Sequence, residues 1–341
     1  MPQHAPASRT PRTPRASRLP RLTGAVGVTS LALTLLAATP TAAVAPPLSD
    51  PHVLVHFDLS KGQTPENIAL EPDGAADLTF VGSRQVARVG VDGRIEVLAT
   101  LPDPGVANTP IVGVPAVTGI VRDHDGTLYF SYSTGTAELT GIWRLAPGGT
   151  PRRIAALPVD GLANGLALDE HARMLYSADS ALGVVHRVPL DGGPATVWAS
   201  GERLRRIGFI GANGLKLHHD AVWVTNSDRA TLLRIPICDG GTAGPVEVRA
   251  EGLTGVDDFA FTGHGDAVLA ALNTADAVAY VTPDGAHSIV LTREDGLSNP
   301  TAVAVRGPRV HVTSAAFTSV PPDPNLLVTR LDRPKHHTQT R

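Results

Sequence analysis

The chain has 341 residues and a formal net charge of −3 at pH 7, which excludes the strongly basic surface expected of a nucleic-acid-binding protein. Its single cysteine excludes an internal disulfide. Aromatic residues make up only 4% of the chain, whereas 34 glycines and 29 prolines separate short apolar runs. This composition is typical of many short strands joined by turns.

The first 45 residues predict a Sec-type signal peptide. A basic segment with arginines at positions 9, 12, 15, 18 and 21 precedes an apolar run from Leu22 to Ala38, and small residues at 43–45 offer a cleavage site. The apolar run is shorter than the ~20 residues that span a bilayer. We therefore expect a secreted protein with no membrane segment after cleavage.

A self-similar unit follows, and it recurs six times. Each unit opens with a polar residue that leads directly into a short apolar strand: ENIAL at Glu66, TGIVR at Thr118, NGLAL at Asn164, NGLKL at Asn213, DDFAF at Asp257 and TAVAV at Thr301. Further strands separated by tight turns complete each unit. Four antiparallel strands repeated six times predict an all-β, six-bladed β-propeller. We place it at residues 50–333 and expect a disordered tail at 334–341.

The sixth unit lacks its fourth strand. Its third strand is predicted at NLLVTRLD from Asn325, after which the chain becomes polar and ends. The segment HVLVHFDL, from His52 to Leu59, has the apolar character of the missing strand. We therefore expect the N-terminal strand of the mature chain to close the ring and protect the open sheet edges.

The polar residues that open the inner strands share one end of the central channel. Four of them, Glu66, Asn164, Asn213 and Asp257, supply carboxylate or amide oxygens, the ligands that hard cations prefer. Cysteine and histidine, which favour zinc, copper or iron, are absent from these positions. The pattern predicts one calcium ion in the channel. The alternative is that each Asn-Gly pair is only a turn dipeptide.

With these residues in view, the chain resembles the calcium-dependent propellers of the senescence marker protein/gluconolactonase family and their paraoxonase and diisopropylfluorophosphatase relatives. The resemblance implies that Glu66, Asn164, Asn213 and Asp257 surround a catalytic calcium. It also implies that Asn67 and Asp258 are either additional ligands or residues that contact the ligands and hold them in position. The histidine pair of the paraoxonases has no match, because the second inner strand begins Thr118-Gly119.

The resulting hypothesis is a metal-dependent hydrolase of a lactone or another ester, with Asp257 as base or nucleophile. Its partner would be a small-molecule substrate; the sequence predicts no nucleic-acid partner and does not indicate an oligomeric state. Arg205 and Arg206 lie in a loop at the channel mouth and are candidates for attracting an anionic substrate. The remaining predicted substrate contacts are Thr118, Asp179, Asn226, Asn273 and Thr301.

Two alternatives remain open. One is a non-catalytic extracellular propeller that binds a ligand or a protein and uses the cation only for structure. The other is a metal-free propeller of the strictosidine-synthase or lyase type. Several histidines fall in turns at the opposite end of the channel, where we expect surface roles: His124, His171, His218, His219 and His264.

Overall fold

The computed structural model describes residues 48–332, which form six four-stranded antiparallel sheets. The signal-peptide prediction and the predicted tail lie outside these residues. The first described strand is β1 (Leu48–His56), and the first three complete sheets follow it in order. They are β2 (Pro65–Leu70), β3 (Ala76–Phe80), β4 (Gln85–Val89) and β5 (Ile95–Thr100); β6 (Ala116–Arg122), β7 (Leu128–Ser133), β8 (Gly141–Leu145) and β9 (Arg152–Ala156); and β10 (Ala163–Asp169), β11 (Met174–Asp179), β12 (Val184–Pro189) and β13 (Thr196–Ser200).

The second half of the ring repeats this arrangement. Its strands are β14 (Ala212–His218), β15 (Ala221–Asn226), β16 (Thr231–Pro236) and β17 (Glu247–Ala250); β18 (Val256–Phe261), β19 (Val268–Leu272), β20 (Ala277–Val281) and β21 (His287–Leu291); and β22 (Pro300–Arg306), β23 (Arg309–Ser314) and β24 (Asn325–Leu331). The described helices are single 3-10 turns at Leu59–Lys61, Asp239–Gly241, Asn273–Ala275 and Arg293–Asp295. Among residues 48–332, no helix has the length and apolarity needed to cross a membrane.

Each sheet is one blade, and the prediction of an all-β, six-bladed propeller is confirmed. Blades 1 to 5 consist of β2–β5, β6–β9, β10–β13, β14–β17 and β18–β21, and blade 6 consists of β22–β24 together with β1. Within blades 1 to 5 the strands pair in chain order. In blade 6, β1 runs antiparallel to β24, with Val53 opposite Leu327. The innermost strands β2, β6, β10, β14, β18 and β22 contact one another in this order around the channel, and β22 contacts β2.

The apolar core lies between neighbouring blades. Trp223 of blade 4 packs with Phe259 and Val268 of blade 5, and Val86 of blade 1 packs with Phe130 of blade 2. Because each sheet buries both faces against its neighbours, successive residues of its central strands are buried rather than every second one, as the fully buried β7 and β19 show. The packed ring holds the channel in a fixed shape.

Hydroxyl groups connect the inner strands of neighbouring blades. Thr118 Oγ1 donates a hydrogen bond to the Ala163 carbonyl (2.7 Å), and Thr301 Oγ1 donates one to the Pro65 carbonyl (3.0 Å). These bonds satisfy backbone acceptors at the starts of inner strands, directly before the register shift in each ladder. They fix the starts of the inner strands relative to one another, and the candidate ligands are located there.

Candidate metal centre

The four predicted ligands lie at the same end of the channel, each at the start of an inner strand. Glu66 is in β2, Asn164 in β10, Asn213 in β14 and Asp257 in β18. The first three are buried, with exposed fractions of 8%, 7% and 5%, whereas Asp257 is partly exposed. The structure thus collects two carboxylates and two amides from four separate blades around one axis.

Glycines allow these strands to approach closely. A Cβ atom added to Gly165 would lie 2.5 Å from the Asn213 carbonyl oxygen, and one added to Gly214 would lie 2.7 Å from the Asp257 carbonyl oxygen. Neither glycine has a positive φ, so neither is required for a left-handed turn. The Asn-Gly pairs therefore mark close contact between blades, and the alternative that they are turn dipeptides is wrong.

The amide groups of Asn213 and Asn164 are oriented by serines at the ends of second strands. Asn213 Nδ2 donates to Ser227 Oγ (2.9 Å) and to Asp257 Oδ1 (2.8 Å). Asn164 Nδ2 donates to Ser180 Oγ (3.3 Å). Asn213 Oδ1 is buried and has no hydrogen-bond partner among the described residues. A buried acceptor without a donor is costly, and a bound cation would satisfy it.

The carboxylates repel one another. Asp257 Oδ1 accepts the Asn213 hydrogen bond, and Oδ2 accepts one from Asn273 Nδ2 (3.3 Å). Burial, followed by the charge on Glu66, raises the pKa of Asp257 well above its ordinary value. Burial, followed by the charge on Asp258, raises the pKa of Glu66 to about 7. The negative charge of these carboxylates is therefore not balanced by positive charge at this end of the channel.

A third carboxylate, Asp258, has its own counterion. It is 1% exposed, and its Oδ2 accepts hydrogen bonds from Lys216 Nζ and from Asn67 Nδ2 (3.0 Å for the latter). Lys216 thus forms an ion pair with Asp258, whereas no lysine, arginine or histidine among the described residues forms an ion pair with Glu66 or Asp257. Two unpaired carboxylates beside two amide oxygens fit a divalent cation with oxygen ligands. Asn67 and Asp258 occupy the supporting positions that the resemblance implies.

Among the predicted substrate contacts, Asn273 lies at the centre, because it binds Asp257. The hydroxyls of Thr118 and Thr301 instead donate to the neighbouring blades, as described above. Asp179 is 1% exposed, and its Oδ1 accepts three backbone N–H bonds of 2.9–3.0 Å from loop residues. Asn226 is fully buried, and its Nδ2 donates to two carbonyls of the 201–212 loop (3.0 and 3.1 Å). These contacts assign the four residues structural roles and disfavour contact with a substrate.

The two mouth-loop arginines form hydrogen bonds within and beside their own loop. The Arg205 carbonyl accepts hydrogen bonds from Asn226 and Arg229, so its backbone anchors the loop. Arg206 is exposed, and its Nη1 donates to the Gly208 carbonyl (3.1 Å). Attraction of an anionic substrate by either guanidinium stays a prediction.

Three residues of the centre were not identified from the sequence: Ser180, Ser227 and Lys216. The two serines carry a recognisable signal, since each directly follows the last residue of the second strand in its blade, at corresponding places in neighbouring units. Lys216 carries none. It lies three residues after Asn213 on the same inner strand and reaches the next blade through its long side chain.

A cavity of about 440 Å³ occupies the other end of the channel. Its lining is largely aliphatic, with Leu70, Leu168 and Val305 from the ends of inner strands, and none of the four candidate ligands lines it. Lys216 does line it, so the ion pair with Asp258 lies between this cavity and the candidate centre.

Comparison with known proteins shows the same fold. Regucalcin from Agrobacterium tumefaciens, described as a calcium-binding protein, superimposes with a TM-score of 0.61 at 17% identity, covering 84% of this chain and 96% of its own. A gluconolactonase from Xanthomonas campestris gives 0.59 at 15% identity, covering 84% and 97%. This chain has their fold. The resemblance inferred from the inner-strand motifs is thus confirmed for the architecture.

Other propellers with different activities are also similar. Virginiamycin B lyase from Staphylococcus aureus gives a TM-score of 0.56 at 13% identity, covering 83% of this chain and all of its own. No protein-family model matches the chain, and no curated protein matches it by sequence. At these identities the likeness is one of fold, and the activity has to be argued from the site.

Proposed function

We propose that this protein is an exported, calcium-dependent hydrolase of lactones or other esters. The observation that carries the proposal is the pair of uncompensated carboxylates, Glu66 and Asp257, held beside the amides of Asn164 and Asn213 at one end of the channel. A site that concentrates negative charge in a rigid ring gains stability by binding a divalent cation. Oxygen donors from four separate blades suit calcium, which accepts wide and flexible coordination.

A calcium ion held by Glu66, Asn164, Asn213 and Asp257 would supply positive charge beside a substrate carbonyl oxygen, where negative charge develops during attack. The residues of the chain do the rest. Glu66 and the two amides are buried. Asp257 is partly exposed, and hydrogen bonds from Asn213 and Asn273 fix both of its oxygens.

In this position Asp257 accepts a proton from water as the water oxygen bonds to the carbonyl carbon of the substrate. The bond between the carbonyl carbon and the leaving oxygen then breaks, and the leaving oxygen takes up the proton. A carboxylate base is needed because calcium lowers the pKa of water far less than zinc does. The product of a lactone is the open hydroxy acid.

The rim of the channel mouth supports an apolar substrate. Of the twelve large hydrophobic side chains that are exposed among the described residues, eight lie in loops at this end. They are Leu59, Val106, Val114, Val159, Ile207, Phe209, Phe317 and Val320. Exposed apolar groups at the same end of a domain as a candidate site are typical of binding surfaces. We therefore favour alkyl or aryl lactones and esters over sugar lactones.

The direct test is hydrolysis of a panel of alkyl lactones, aryl esters and sugar lactones, with calcium and with a chelator. Activity should require calcium and disappear in Asp257→Asn. Asp103→Asn is the matched control, since it neutralises an exposed carboxylate in a loop at the same end. A folded Asp257→Asn protein with full activity would disprove the mechanism.

The apolar rim equally favours one alternative, an extracellular binding propeller in which the cation has only a structural role. This alternative predicts that calcium raises the melting temperature while no member of the panel is turned over. A lyase of the kind found among the structural neighbours would instead produce an elimination product in the presence of chelator. The same panel, analysed by mass spectrometry of the products, separates the three outcomes.

A further inference from the structure

Three metal-ligating side chains meet where blades 4 and 5 adjoin, at the end of the channel opposite the candidate calcium centre. His218 is the last residue of β14, His219 follows it, and Asp266 lies in the turn between β18 and β19. One potential ligand atom from each lies within 4.8 Å of the others. We propose that this cluster, the His218–His219–Asp266 site, binds a zinc ion or a similar transition-metal ion.

The backbone brings the two neighbouring histidines together. Successive side chains of a strand point to opposite faces, so adjacent histidines in a regular strand would not share a ligand. His219, however, has a φ of +49°, a left-handed conformation that is uncommon for a residue other than glycine. The chain reverses there, and the two imidazole rings lie with their centroids 4.0 Å apart.

The His218 ring is already fixed in place. It stacks on Phe261 with a centroid separation of 3.7 Å and an interplanar angle of 15°. Its Nε2 is buried, has no hydrogen-bond partner among residues 48–332, and lies 3.4 Å from Asp266 Oδ1. Burial, followed by the nearby His219, lowers the pKa of His218. The ring therefore directs a buried nitrogen, without a hydrogen-bond partner among the described residues, toward the Asp266 carboxylate.

Two imidazoles and one carboxylate are a donor set for zinc and related ions, whereas calcium and magnesium prefer oxygen donors throughout. Three protein ligands leave a fourth tetrahedral position for water. Because the ligands come from two blades, a bound ion would join blade 4 to blade 5. This site is chemically distinct from the oxygen-only centre at the other end of the channel.

A simple pair between histidine and aspartate is the competing explanation, and Arg249 is relevant to it. Its Nη2 lies 3.7 Å from Asp266 Oδ2, and its guanidinium lies 5.6 Å from the centroid of the Trp223 ring. This positive charge weakens cation binding, but it engages Oδ2 and leaves Oδ1 directed toward the histidines. A metal site predicts that removal of the Arg249 charge tightens zinc binding, which a histidine–aspartate pair alone does not predict.

A second cluster, Asp123, His124 and Glu170, provides a matched control at the same end of the channel. Asp123 Oδ1 already accepts hydrogen bonds from both the backbone N–H and Nδ1 of His124, each at 2.7 Å. The side chains of His124 and Glu170 are 77% and 53% exposed. Since the carboxylate oxygen and Nδ1 are already paired, we expect no comparable zinc affinity there.

The experiment is zinc titration of the chelator-treated full chain by calorimetry near neutral pH in the presence of calcium, with cobalt absorption spectra to report histidine ligation. The wild type and His124→Ala should bind one equivalent that raises the melting temperature. His219→Ala and Asp266→Asn should each weaken this binding by about tenfold or more, since even the loss of a supporting group costs that much. Arg249→Gln should strengthen it.

Equal zinc binding by the wild type, His219→Ala and Asp266→Asn would overturn the proposal, as would the absence of zinc binding by the wild type. His219 is exposed and Asp266 is partly exposed, so these variants should fold. Circular dichroism and an unchanged calcium affinity would confirm that they do. The result is independent of lactone or ester turnover.

Discussion

The buried charge of Glu66 makes the metal-free protein less stable as the pH rises. Its pKa is about 7 in the folded protein, against an ordinary value of 4.5. A carboxyl group whose pKa is raised on folding binds more protons in the folded state than in the unfolded state. The resulting stabilisation is therefore fully present below pH 4.5 and is lost as the pH rises through 7.

The magnitude follows from the pKa. A group with a folded pKa of about 7 loses about 1.4 kcal/mol of stabilisation between pH 6 and pH 8, because each unit of pKa corresponds to about 1.36 kcal/mol. For a domain of this size, that change lowers the melting temperature by about 2 °C. Saturating calcium should remove most of this dependence, because it binds the ionised ligands.

The assay is thermal melting at pH 6 and pH 8, with chelator and with calcium, for the wild type and Glu66→Gln. Other groups titrate in the same range; Asp77, for example, has its pKa raised to about 7 by burial and by Glu71. Asp77 remains in both proteins, so it contributes equally to the change in melting temperature between pH 6 and pH 8. The difference between the two proteins in this change therefore isolates the candidate centre. If the melting temperatures of the wild type and Glu66→Gln changed equally between pH 6 and pH 8 in the presence of chelator, the reasoning would be refuted.

Three substitutions test the surroundings of the centre. Gly214→Ala should destabilise the protein by about 1–3 kcal/mol through overpacking and should weaken calcium binding. The control Gly208→Ala should change neither property, since a Cβ added there meets no atom within 3.6 Å. Thermal melting measures the stability of each variant, and calcium titration measures its affinity. Ser227→Ala should lower calcium affinity about tenfold in the same titration, because it releases a ligand amide. Lys216→Met should cost about 3–5 kcal/mol by chemical denaturation, and the double variant Lys216→Met/Asp258→Asn should recover much of this loss, because the buried charge is then gone.

The location of the four candidate ligands at one end of the channel was predictable because each of them lies at the start of an inner strand. The repeat fixes the phase of the inner strands, and a closed ring places all their starts at one end. What the sequence could not distinguish is why glycine follows Asn164 and Asn213. A left-handed turn and a close neighbour both require glycine, and only the backbone angles and the distances between blades show that the second reason applies.

The substrate contacts were predicted less well for a related reason. Asp179, Asn226 and Asn273 occupy similar places at the ends of second strands, so the sequence treats them alike. The structure separates them through the loops that follow: Asp179 and Asn226 are buried under loops whose backbone they bind, whereas Asn273 begins a single 3-10 turn and reaches Asp257. Loop conformation, which a strand pattern does not specify, decides which polar side chain remains at the centre.

The four candidate ligands differ in how far they are buried, and this difference bears on whether a bound cation would be structural or catalytic. A purely structural site is stabilised by burying every ligand, because desolvation strengthens its electrostatic interactions. Here Glu66, Asn164 and Asn213 are 5–8% exposed, but Asp257 remains partly exposed while both of its oxygens are hydrogen-bonded. The least buried of the four candidate ligands is thus also hydrogen-bonded at both of its side-chain oxygens. That combination suits a base acting on water at the channel mouth, and it is why Asp257→Asn is the substitution that most directly separates a hydrolase from a binding propeller.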